Sequence, residues 1–537
     1  MPPRYPVRRR RLRVTRRGYV VFTTLGLLAV ATPVSFVRSG LASATVDVAS
    51  DEMDDGLLNA AEMERLEVAV RFSPKGDNRG ATVTVDGREV KDRKASDAEA
   101  LLVRPEKLAD GDHRLTASVR RRFPFWAAKD TKRFRVDTVP PSLSASPPPG
   151  EVAMGSPFEL TGRVEAGAGL TADAKPVPLD DGEFRLRYER PPPGPVHLVA
   201  TDRAGNTATM DVPVDVAHPG GRAVHVTASA WAAPSLRDPV LALIDSGRID
   251  TVQLDLKDES GVVGYESQVP LARVIGASKG IYDLRQAVTD LHGRKARVIG
   301  RIVAFRDPVL TDAAWKAGDR DQVTQTPSGG RYAKYGGFTN PANPVVRQYN
   351  IDLAVEAARA GVDDILYDYV RRPDGPVDQM RFAGLSGTPE DAIVSFLADS
   401  HARVRAEGAF QGASVYGIAT TRPQQIAQDI PRLARHVDYV APMLYPSHWN
   451  RGEYGVADPN REPAQIVARS LEDFSKAVEG SGATLMPWLQ DFSMGVVYGP
   501  AQVRAQIDAA AAAGVESWIL WDPTVSYTTA ALEPRPR

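Results

Sequence analysis

The sequence predicts two all-β sandwich domains followed by an α/β barrel of the (β/α)₈ type, all behind an N-terminal membrane helix. About twenty consecutive uncharged residues early in the chain are long enough to span a bilayer. Short alternating runs separated by Gly and Pro turns follow, and strand-like runs then alternate with helical runs to the end. At 537 residues the chain is too long for one compact core.

Residues 1–44 predict a basic cytoplasmic segment followed by a signal-anchor helix. Arg4–Arg17 holds eight arginines and no acid, and Gly18–Val37 has no charged residue. A basic flank stays on the cytoplasmic side, so the remaining domains are expected outside the cell membrane on a single-pass anchor. The alternative is a cleaved signal peptide, with Ala42–Ala44 as its small-residue cleavage site, and a secreted protein.

Residues 45–137 and 138–217 predict two β-sandwiches, separated by the proline-rich stretch Val136–Gly150. Val199–Thr209 reads VATDRAGNTAT and resembles the closing hairpin of bacterial immunoglobulin-like repeats. The resemblance implies two immunoglobulin-like domains. They carry no group of residues that we interpret as catalytic, so we expect them to be spacers or adhesive modules.

The composition excludes several classes of function. The formal net charge is −1, and no basic face or nucleic-acid motif is present, so no nucleic-acid partner is expected. The absence of cysteine excludes disulfides, thiolate metal sites and cysteine nucleophiles. The eight histidines are scattered and form no HExxH motif. The sequence therefore predicts neither a metal nor a cofactor.

Residues 218–537 predict the barrel, in which parallel strands alternate with helices. Helical stretches such as PAQVRAQIDAAAAAG end at glycine, as helices commonly do. The eight strand candidates are AVHVTASAW, TVQLDLKDE, ARVIGRIVAF, DDILYDYV, ASVYGIAT, VDYVAPMLY, TLMPWLQDF and ESWILWDP.

Polar residues in the second strand are expected to face the barrel interior. Gln253, Asp255 and Lys257 alternate with apolar residues, and side chains alternate across a strand. Glu259 continues the same face, and Asp258 lies beside it at the rim. Asp255 and Lys257 either pair with each other or bind a ligand.

The active site of such a barrel lies at the C-terminal ends of its strands. Carboxylates, arginines and aromatic residues recur there, and flat apolar rings that tolerate water suit stacking against sugars. The alternative for the tryptophans is packing within the barrel. The candidate binding residues are Asp255, Lys257, Asp258, Arg301, Tyr369, Arg371, Tyr445, His448, Trp488, Gln490 and Trp521.

Several motifs occur in order across residues 224–527: QLDLKDESG, GRIVAFRDP, the strand-4 region Phe338–Pro373, APMLYPSHW and PWLQDF. This region resembles the bacterial putative glycosyl hydrolase domain family. The resemblance implies a TIM barrel that hydrolyses glycosidic bonds. A polysaccharide substrate is expected, and no cofactor is implied.

A fainter resemblance links the barrel to chitinases. Met443 and Tyr445 match the Met-x-Tyr motif of chitinase strand 6, and Trp521 matches the tryptophan of strand 8. In alignment on Asp368, however, Val370 stands where chitinases carry their acid glutamate. The substrate-assisted chitinase mechanism is therefore not expected here.

Glycoside hydrolysis needs two carboxyl groups on either side of one bond. We predict Asp368 as the nucleophile or base, kept ionised by Arg301 and Arg371. A structural ion pair with one of these arginines is the alternative. The proton donor is left open among Asp491, Glu259 and Asp258, with Asp522 as a further candidate.

These features together predict an exported, membrane-tethered glycoside hydrolase that acts on a cell-envelope or extracellular polysaccharide. The alternative is a catalytically inactive glycan-binding or structural protein of the cell envelope.

Overall fold

The computed structural model describes residues 45–73, 80–95, 100–122, 125–192 and 194–535. The chain divides into two compact units, Met1–Val136 and Asp137–Arg537. The predicted membrane helix at 18–37 lies outside the described residues. In the part of the chain that is described, no helix combines the length and apolar character needed to cross a membrane.

The first unit is built mainly from β-strands. Its described elements are β1 (Thr45–Ala49), β2 (Leu57–Leu58), α1 (Ala60–Arg65), β3 (Val68–Ser73), β4 (Ala81–Val85), β5 (Arg88–Glu89), β6 (Arg93–Ala95), β7 (Ala100–Val103), β8 (Gly111–Arg122) and β9 (Phe125–Val136). They form two sheets, β1-β3-β7-β6 and β2-β9-β8-β4-β5. Alternate residues of both sheets, such as Val70 and Ala117, share one apolar core.

The second unit begins with a smaller β region. Its strands are β10 (Leu143–Ser146), β11 (Phe158–Val164), β12 (Gly169–Ala172), β13 (Lys175–Pro176), β14 (Glu183–Tyr188), β15 (Val196–Thr201) and β16 (Thr207–Val212). The sheets β10-β11-β14 and β13-β12-β15-β16 contribute to one core that includes Leu160 and Leu198. The immunoglobulin-like identity of both β regions stays a prediction.

Eight parallel strand positions close into a barrel in the rest of the second unit. The strands of this region are β17 (Arg222–Val226), β18 (Thr251–Lys257), β19 (Val263–Tyr265), β20 (Ser278–Tyr282), β21 (Arg297–Val303), β22 (Asp364–Asp368), β23 (Phe410–Tyr416), β24 (Tyr439–Met443), β25 (Thr484–Leu485), β26 (Trp488–Gln490) and β27 (Trp518–Trp521). The barrel order is β17, β18, β21, β22, β23, β24, then β25 with β26, then β27, which pairs back to β17. The predicted (β/α)₈ barrel is confirmed.

Helices surround the barrel. They are α2 (Ala228–Ala232), α3 (Pro234–Asp245), α4 (Pro270–Val274), α5 (Leu284–Gly293), α6 (Pro308–Ala317), α7 (Pro344–Arg359), α8 (Pro389–Ala406), α9 (Ile430–Leu433), α10 (Pro463–Val478) and α11 (Pro500–Ala512). Most of them begin at a proline, whose fixed φ suits the first helical position and whose missing N–H is not needed there. Many also have a side-chain cap, such as Asn343 before α7.

Only the first part of the predicted strand AVHVTASAW is extended, because β17 ends at Val226 and α2 begins at Ala228. The Thr227 side chain accepts a hydrogen bond from the Ala230 backbone N–H, which caps α2 and ends the extended segment. Trp231 therefore lies on a helix and packs into the core between barrel and helices, with 5% of its surface exposed. It is a packing residue, although it stands at the end of the predicted first strand.

The barrel strands separate two cores by alternation. Residues such as Leu254 and Ile365 face the helices, whereas Leu366, Tyr439 and Ile519 fill the barrel interior. The same alternation directs Asp255 and Asp368 inward at the C-terminal ends of their strands, because each follows an inward position by two residues.

A β-bulge reverses Lys257, and the prediction that Lys257 faces the barrel interior is wrong. Asp255 pairs with Arg301, but Lys257 pairs with Ile302, so one extra residue lies on β18. Lys257 therefore points toward the helices, where its Nζ donates to Asp307 at 2.9 Å and to Asn350 at 2.7 Å. It does not pair with Asp255 either.

The segment before β17 closes the N-terminal end of the barrel. The His218 side chain is 1% exposed, and its Nε2 lies 3.3 Å from Asp364 Oδ2. Its ring centroid lies 4.5 Å from that of Tyr439, inside the barrel. Asp364 also forms an ion pair with Arg297. These polar groups lie at the end of the barrel opposite to the C-terminal strand ends.

Candidate functional site

A cavity of about 670 Å³ opens at the C-terminal ends of the barrel strands. We call it the central cavity. Its walls are mostly aromatic, and its Asp, Glu and Arg side chains come from three strand ends or the loops that follow them. It is lined by His225, Glu259, Arg301, Arg306, Asp368, Tyr369, Tyr416, Gly417, Ile418, Met443, Tyr445, His448, Trp449, Trp488 and Trp521.

Arg301 holds three carboxylates together at the floor of the central cavity. Its Nη1 donates to Asp255 Oδ1 at 2.8 Å, and its Nε and Nη2 donate to Asp368 Oδ2 at 2.9 and 2.6 Å. Its Nη2 also donates to Glu259 Oε1. The four residues come from β18, the loop after it, β21 and β22, which are neighbours in the barrel.

Burial and charge act in opposite directions on this group. Burial alone would raise the pKa of Glu259, but the charge and hydrogen bonds of Arg301 outweigh it and lower that pKa to about 2. Burial raises the pKa of Asp255 against the opposing charges of His225 and Arg301. Burial would lower the pKa of Arg301, yet its carboxylate partners raise it well above its usual range. Arg301 is therefore a permanent cation.

Asp368 is held by donors on both of its oxygens. Arg301 donates to Oδ2, and the backbone N–H of Tyr369 donates to Oδ1 at 2.6 Å. Tyr369 has φ of +46°, a left-handed conformation that is uncommon for a bulky residue. Its hydroxyl accepts from Arg306 Nη1 at 2.9 Å. Strained backbone of this kind is concentrated at functional sites, where the surrounding contacts maintain it.

The structure brings most of the predicted site residues to one place. Asp368, Glu259 and Asp255 each accept a hydrogen bond from Arg301. The predicted residues that line the same cavity beside them are Tyr369, Tyr445, His448, Trp488 and Trp521. Trp521 is half-buried and packs against Tyr445 at 5.0 Å between ring centroids. Trp488 is only 2% exposed, and its Nε1 donates to Ser414 Oγ at 3.0 Å.

Contrary to the prediction, Arg371 does not contact Asp368. Its guanidinium stacks on the rings of Tyr369 and Tyr416, at 4.7 and 4.6 Å from their centroids. Its Nη2 donates to the Tyr416 hydroxyl at 3.1 Å. Arg371 therefore positions two tyrosines of the central cavity, and Arg301 is the arginine that holds Asp368.

Two predicted acids are hydrogen-bonded to loops at the C-terminal end of the barrel. Asp491 accepts from Thr528 Oγ1 at 2.6 Å and from the Thr528 backbone N–H at 2.8 Å. Burial raises its pKa to about 6, but its carboxyl group is not among the groups that line the central cavity. Asp258 accepts from Ser260 and from the Val262 backbone N–H, which closes the turn after β18.

Gln490 and Asp522 also have structural partners. Gln490 Oε1 accepts from the Ser447 backbone N–H at 3.0 Å, which ties the loop after β24 to β26. Asp522 Oδ1 accepts from the backbone N–H groups of Thr524 and Ser526. Lys257 is on the helix side of the bulge. The structure therefore brings these residues to the edge of the site or away from it.

The lining residues that the sequence analysis missed include His225, Arg306 and Tyr416. His225 lies two residues after inward-facing Ala223, so strand alternation could have found it. Its Nδ1 lies 2.6 Å from Gln253 Oε1, and its Nε2 lies 3.6 Å from Asp255 Oδ2. The predicted fifth strand ran past Tyr416, which ends β23.

Within the described ranges, no group of three or more His, Cys, Asp or Glu side chains has a geometry that could hold a metal ion.

Comparison with known families identifies the barrel. Residues 223–527, more than half of the chain, match the family described as "Putative glycosyl hydrolase domain". The chain belongs to this family. The match covers every strand of the barrel except the first residue of β17, and it includes Asp368, Glu259 and Arg301. A comparison with curated proteins finds no match.

Solved structures similar to this family member include three of bacterial origin. A hypothetical protein from Ruminiclostridium thermocellum is 30% identical, with 35% of this chain and 96% of that chain covered and a TM-score of 0.32. The PgaB (BpsB) glycoside hydrolase domain from Bordetella bronchiseptica is 16% identical, with 57% and 95% covered and a TM-score of 0.43. An endo-1,4-beta-D-mannanase from Thermotoga petrophila is 14% identical, with 56% and 88% covered and a TM-score of 0.37.

Proposed function

We propose that this protein is a glycoside hydrolase that uses Asp368 and Glu259 as its two carboxyl groups. One observation carries the proposal: both side chains hydrogen-bond the same nitrogen, Arg301 Nη2, at the floor of a cavity with aromatic walls. Membership of the family described as "Putative glycosyl hydrolase domain" supports it. The proposed substrate is a cell-envelope or extracellular polysaccharide.

The spacing of the two carboxyl groups favours retention of configuration. Two oxygens that hydrogen-bond one nitrogen lie within about 6 Å of each other. Retaining glycosidases hold their carboxyl groups about 5–5.5 Å apart, whereas inverting enzymes leave about 6.5–9.5 Å for a water molecule. Asp368 is then the nucleophile, and Glu259 is the acid and base.

The surroundings of the two residues suit these different roles. Asp368 is buried and fixed by Arg301 and the Tyr369 backbone, so it can attack the anomeric carbon from a constant position. Glu259 lies on a loop, and its side chain is 38% exposed, so it can reach the oxygen of the leaving sugar. It then takes a proton from the water that releases the sugar from Asp368.

Glu259 must change its protonation state before it can donate a proton. Its pKa of about 2 in the free protein reflects its contact with Arg301. We propose that a sugar entering the central cavity separates Glu259 from Arg301 and excludes water around it. Both changes raise the pKa of a carboxyl group, because they remove a stabilising cation and penalise the charged form.

The test measures turnover of a polysaccharide panel by the full-length protein and three variants. The panel contains peptidoglycan, chitin, chitosan, mannan and xylan, and new reducing ends are counted. Asp368→Asn should lower kcat by about 10⁴-fold or more, because an amide cannot act as a nucleophile. Glu259→Gln should lower it by about 10²–10⁴-fold.

Asp491→Asn is the matched control, because this carboxyl group is bonded to Thr528 and should keep most of the turnover. Thermal unfolding of each variant checks that the fold is intact. The assignment of the two carboxyl groups would be contradicted if Asp491→Asn lost its turnover and Glu259→Gln kept full turnover.

Two observations favour a second function, glycan binding without turnover. Arg301 neutralises part of the charge of both proposed carboxyl groups in the free protein, and Val370 replaces the glutamate of chitinases. Binding of a panel glycan with no new reducing ends would support this function over hydrolysis.

We further propose that residues 1–44 anchor the protein in the cell membrane and that the two β regions are immunoglobulin-like spacers. This proposal rests on the basic run, the apolar stretch and the repeat-like hairpin of the sequence.

A further inference from the structure

A second cavity adjoins the central cavity beyond Tyr416. It has a volume of about 630 Å³. We call it the side cavity. Its walls come from two loops, residues 372–377 after β22 and residues 424–426 after β23. Tyr416 and Ile418 line both cavities, so the two spaces meet along these side chains.

The walls of the side cavity are held in place by Arg372. This side chain is 3% exposed and lies between the two loops. Its Nη1 donates to the carbonyl oxygens of Pro373 and Gly375 at 2.7 and 2.8 Å, and its Nη2 donates to that of Gln424 at 2.6 Å. A buried guanidinium that joins three carbonyl groups keeps both loops apart at a constant distance, so the cavity is preformed.

Tyr416 is fixed at the junction of the two cavities. The guanidinium of Arg371 lies over its ring at 4.6 Å and donates to its hydroxyl at 3.1 Å. The ring is half-buried, and it lines the spaces on both sides of the junction. A rigid, flat and apolar ring at this point suits contact with the C–H face of a sugar.

The charged groups of the side cavity already have partners. Arg372 is bonded to carbonyl oxygens, and Asp374 forms an ion pair with Lys334 at 2.5 Å. The remaining polar lining includes the amide side chains of Gln424 and Gln425. Amides and backbone groups bind hydroxyl and N-acetyl groups, whereas a wall whose charged groups are already paired gives little compensation for a buried ionic group.

We propose that the side cavity binds further uncharged sugar units of the same polysaccharide and that the chain crosses Tyr416. The inference rests on the proposed hydrolase function and adds the class of substrate. This substrate is a polysaccharide that the enzyme cuts at bonds within the polymer. Each cavity has the size of a pocket for a drug-sized ligand, so the two together accommodate several sugars. A pocket for one terminal sugar would need only the central cavity.

Two substitutions fill the side cavity from opposite walls: Val377→Trp and Gln425→Trp. Gln379→Trp is the matched control, because Gln379 is exposed on the same loop as Val377 but does not line the cavity. The substrates are oligosaccharides of three and eight units prepared from whichever panel polysaccharide the full-length protein cleaves. Thermal unfolding verifies that each variant is folded.

The wild-type protein should have a kcat/KM at least about tenfold higher for eight units than for three, which corresponds to one good aromatic–sugar contact. Both filling variants should lose this ratio, and Gln379→Trp should keep it. The viscosity of the polysaccharide should fall before many reducing ends form.

Two results would overturn the inference in different ways. If kcat/KM is equal for oligosaccharides of three and eight units, or if single terminal sugars are released, the side cavity does not bind the substrate. The hydrolase function would then still stand. Absence of turnover on the whole panel removes the hydrolase function, and the inference falls with it.

Discussion

Arg301 is one cation in contact with three carboxylates, two of which we assign to catalysis. Its positive charge offsets the repulsion between the carboxylates of Asp368 and Glu259, which both pair with it. These contacts also make the stability of the folded protein depend on pH. The folded-state pKa of Glu259 is depressed, so its stabilising contribution is present above the unfolded value of about 4.3 and is lost as the pH falls toward about 2.

The tryptophans of the central cavity differ in exposure, and this predicts different effects of substitution. Trp521→Ala should weaken glycan binding by about 1–3 kcal/mol, because its half-buried ring can cover one sugar. Trp488→Ala should instead lower the free energy of unfolding by about 3–5 kcal/mol, because its ring fills the barrel interior. Calorimetric titration with panel oligosaccharides in the Asp368→Asn background, together with urea unfolding, separates the two effects.

Unchanged binding in Trp521→Ala with a lower melting temperature would mark Trp521 as a core residue as well. The sequence analysis treated both tryptophans alike, because each lies at a strand end.

At the scale of elements, the bulge in β18 decides what the end of this strand contributes. One extra residue turns Lys257 to the helix side and leaves Glu259 on the loop that reaches Arg301. The bulge is stabilised by a buried ion pair, since Lys257 and Asp307 side chains are both 0% exposed. Asp307 also caps α6 by accepting from the Leu310 backbone N–H.

Lys257→Met should lower the free energy of unfolding by about 3–5 kcal/mol, because it leaves Asp307 buried without its cation. The double variant Lys257→Met, Asp307→Asn should recover much of this loss, since it removes the uncompensated charge and keeps an acceptor for the helix cap. Urea unfolding of the single and double variants measures both values. Equal stability of Lys257→Met and the wild-type protein would mean that the ion pair is not what holds the bulge.

At the scale of the whole molecule, the chain places a barrel with a site at one end after two β regions and a basic, apolar N-terminal segment. In the second unit, His218 closes the barrel at the end opposite to the site. The sites of such barrels depend on loops at the C-terminal face, so the opposite face is free to carry connections to other parts of the chain.

The N-terminal proposal predicts that the native protein keeps residues 1–44 and remains with the membrane fraction. A basic flank before about twenty uncharged residues orients a single span with its C-terminal side outside. Mass spectrometry of the native N-terminus checks this. A mature chain that starts near Thr45 would show that the segment is a cleaved signal peptide.

The barrel was predictable from the sequence because its signals are local. Alternation within short runs, and helical runs that start at proline and end at glycine, depend on neighbours a few residues apart. The same local patterns placed Asp368, Arg301, Tyr445 and Trp521 at strand ends, and the closed barrel then brings strand ends together.

Only the tertiary structure decided which residues meet. Asp491, Asp258 and Glu259 were equivalent candidates in the sequence, because each follows a strand. Glu259 reaches Arg301, whereas Asp491 is bonded to Thr528, 37 positions further along the chain. The orientation of Lys257 was predicted wrongly because a bulge depends on the register between two strands. The contact of Arg371 was predicted wrongly because its partners come from two different strand ends. Such contacts depend on packing between distant segments, and no local pattern specifies them.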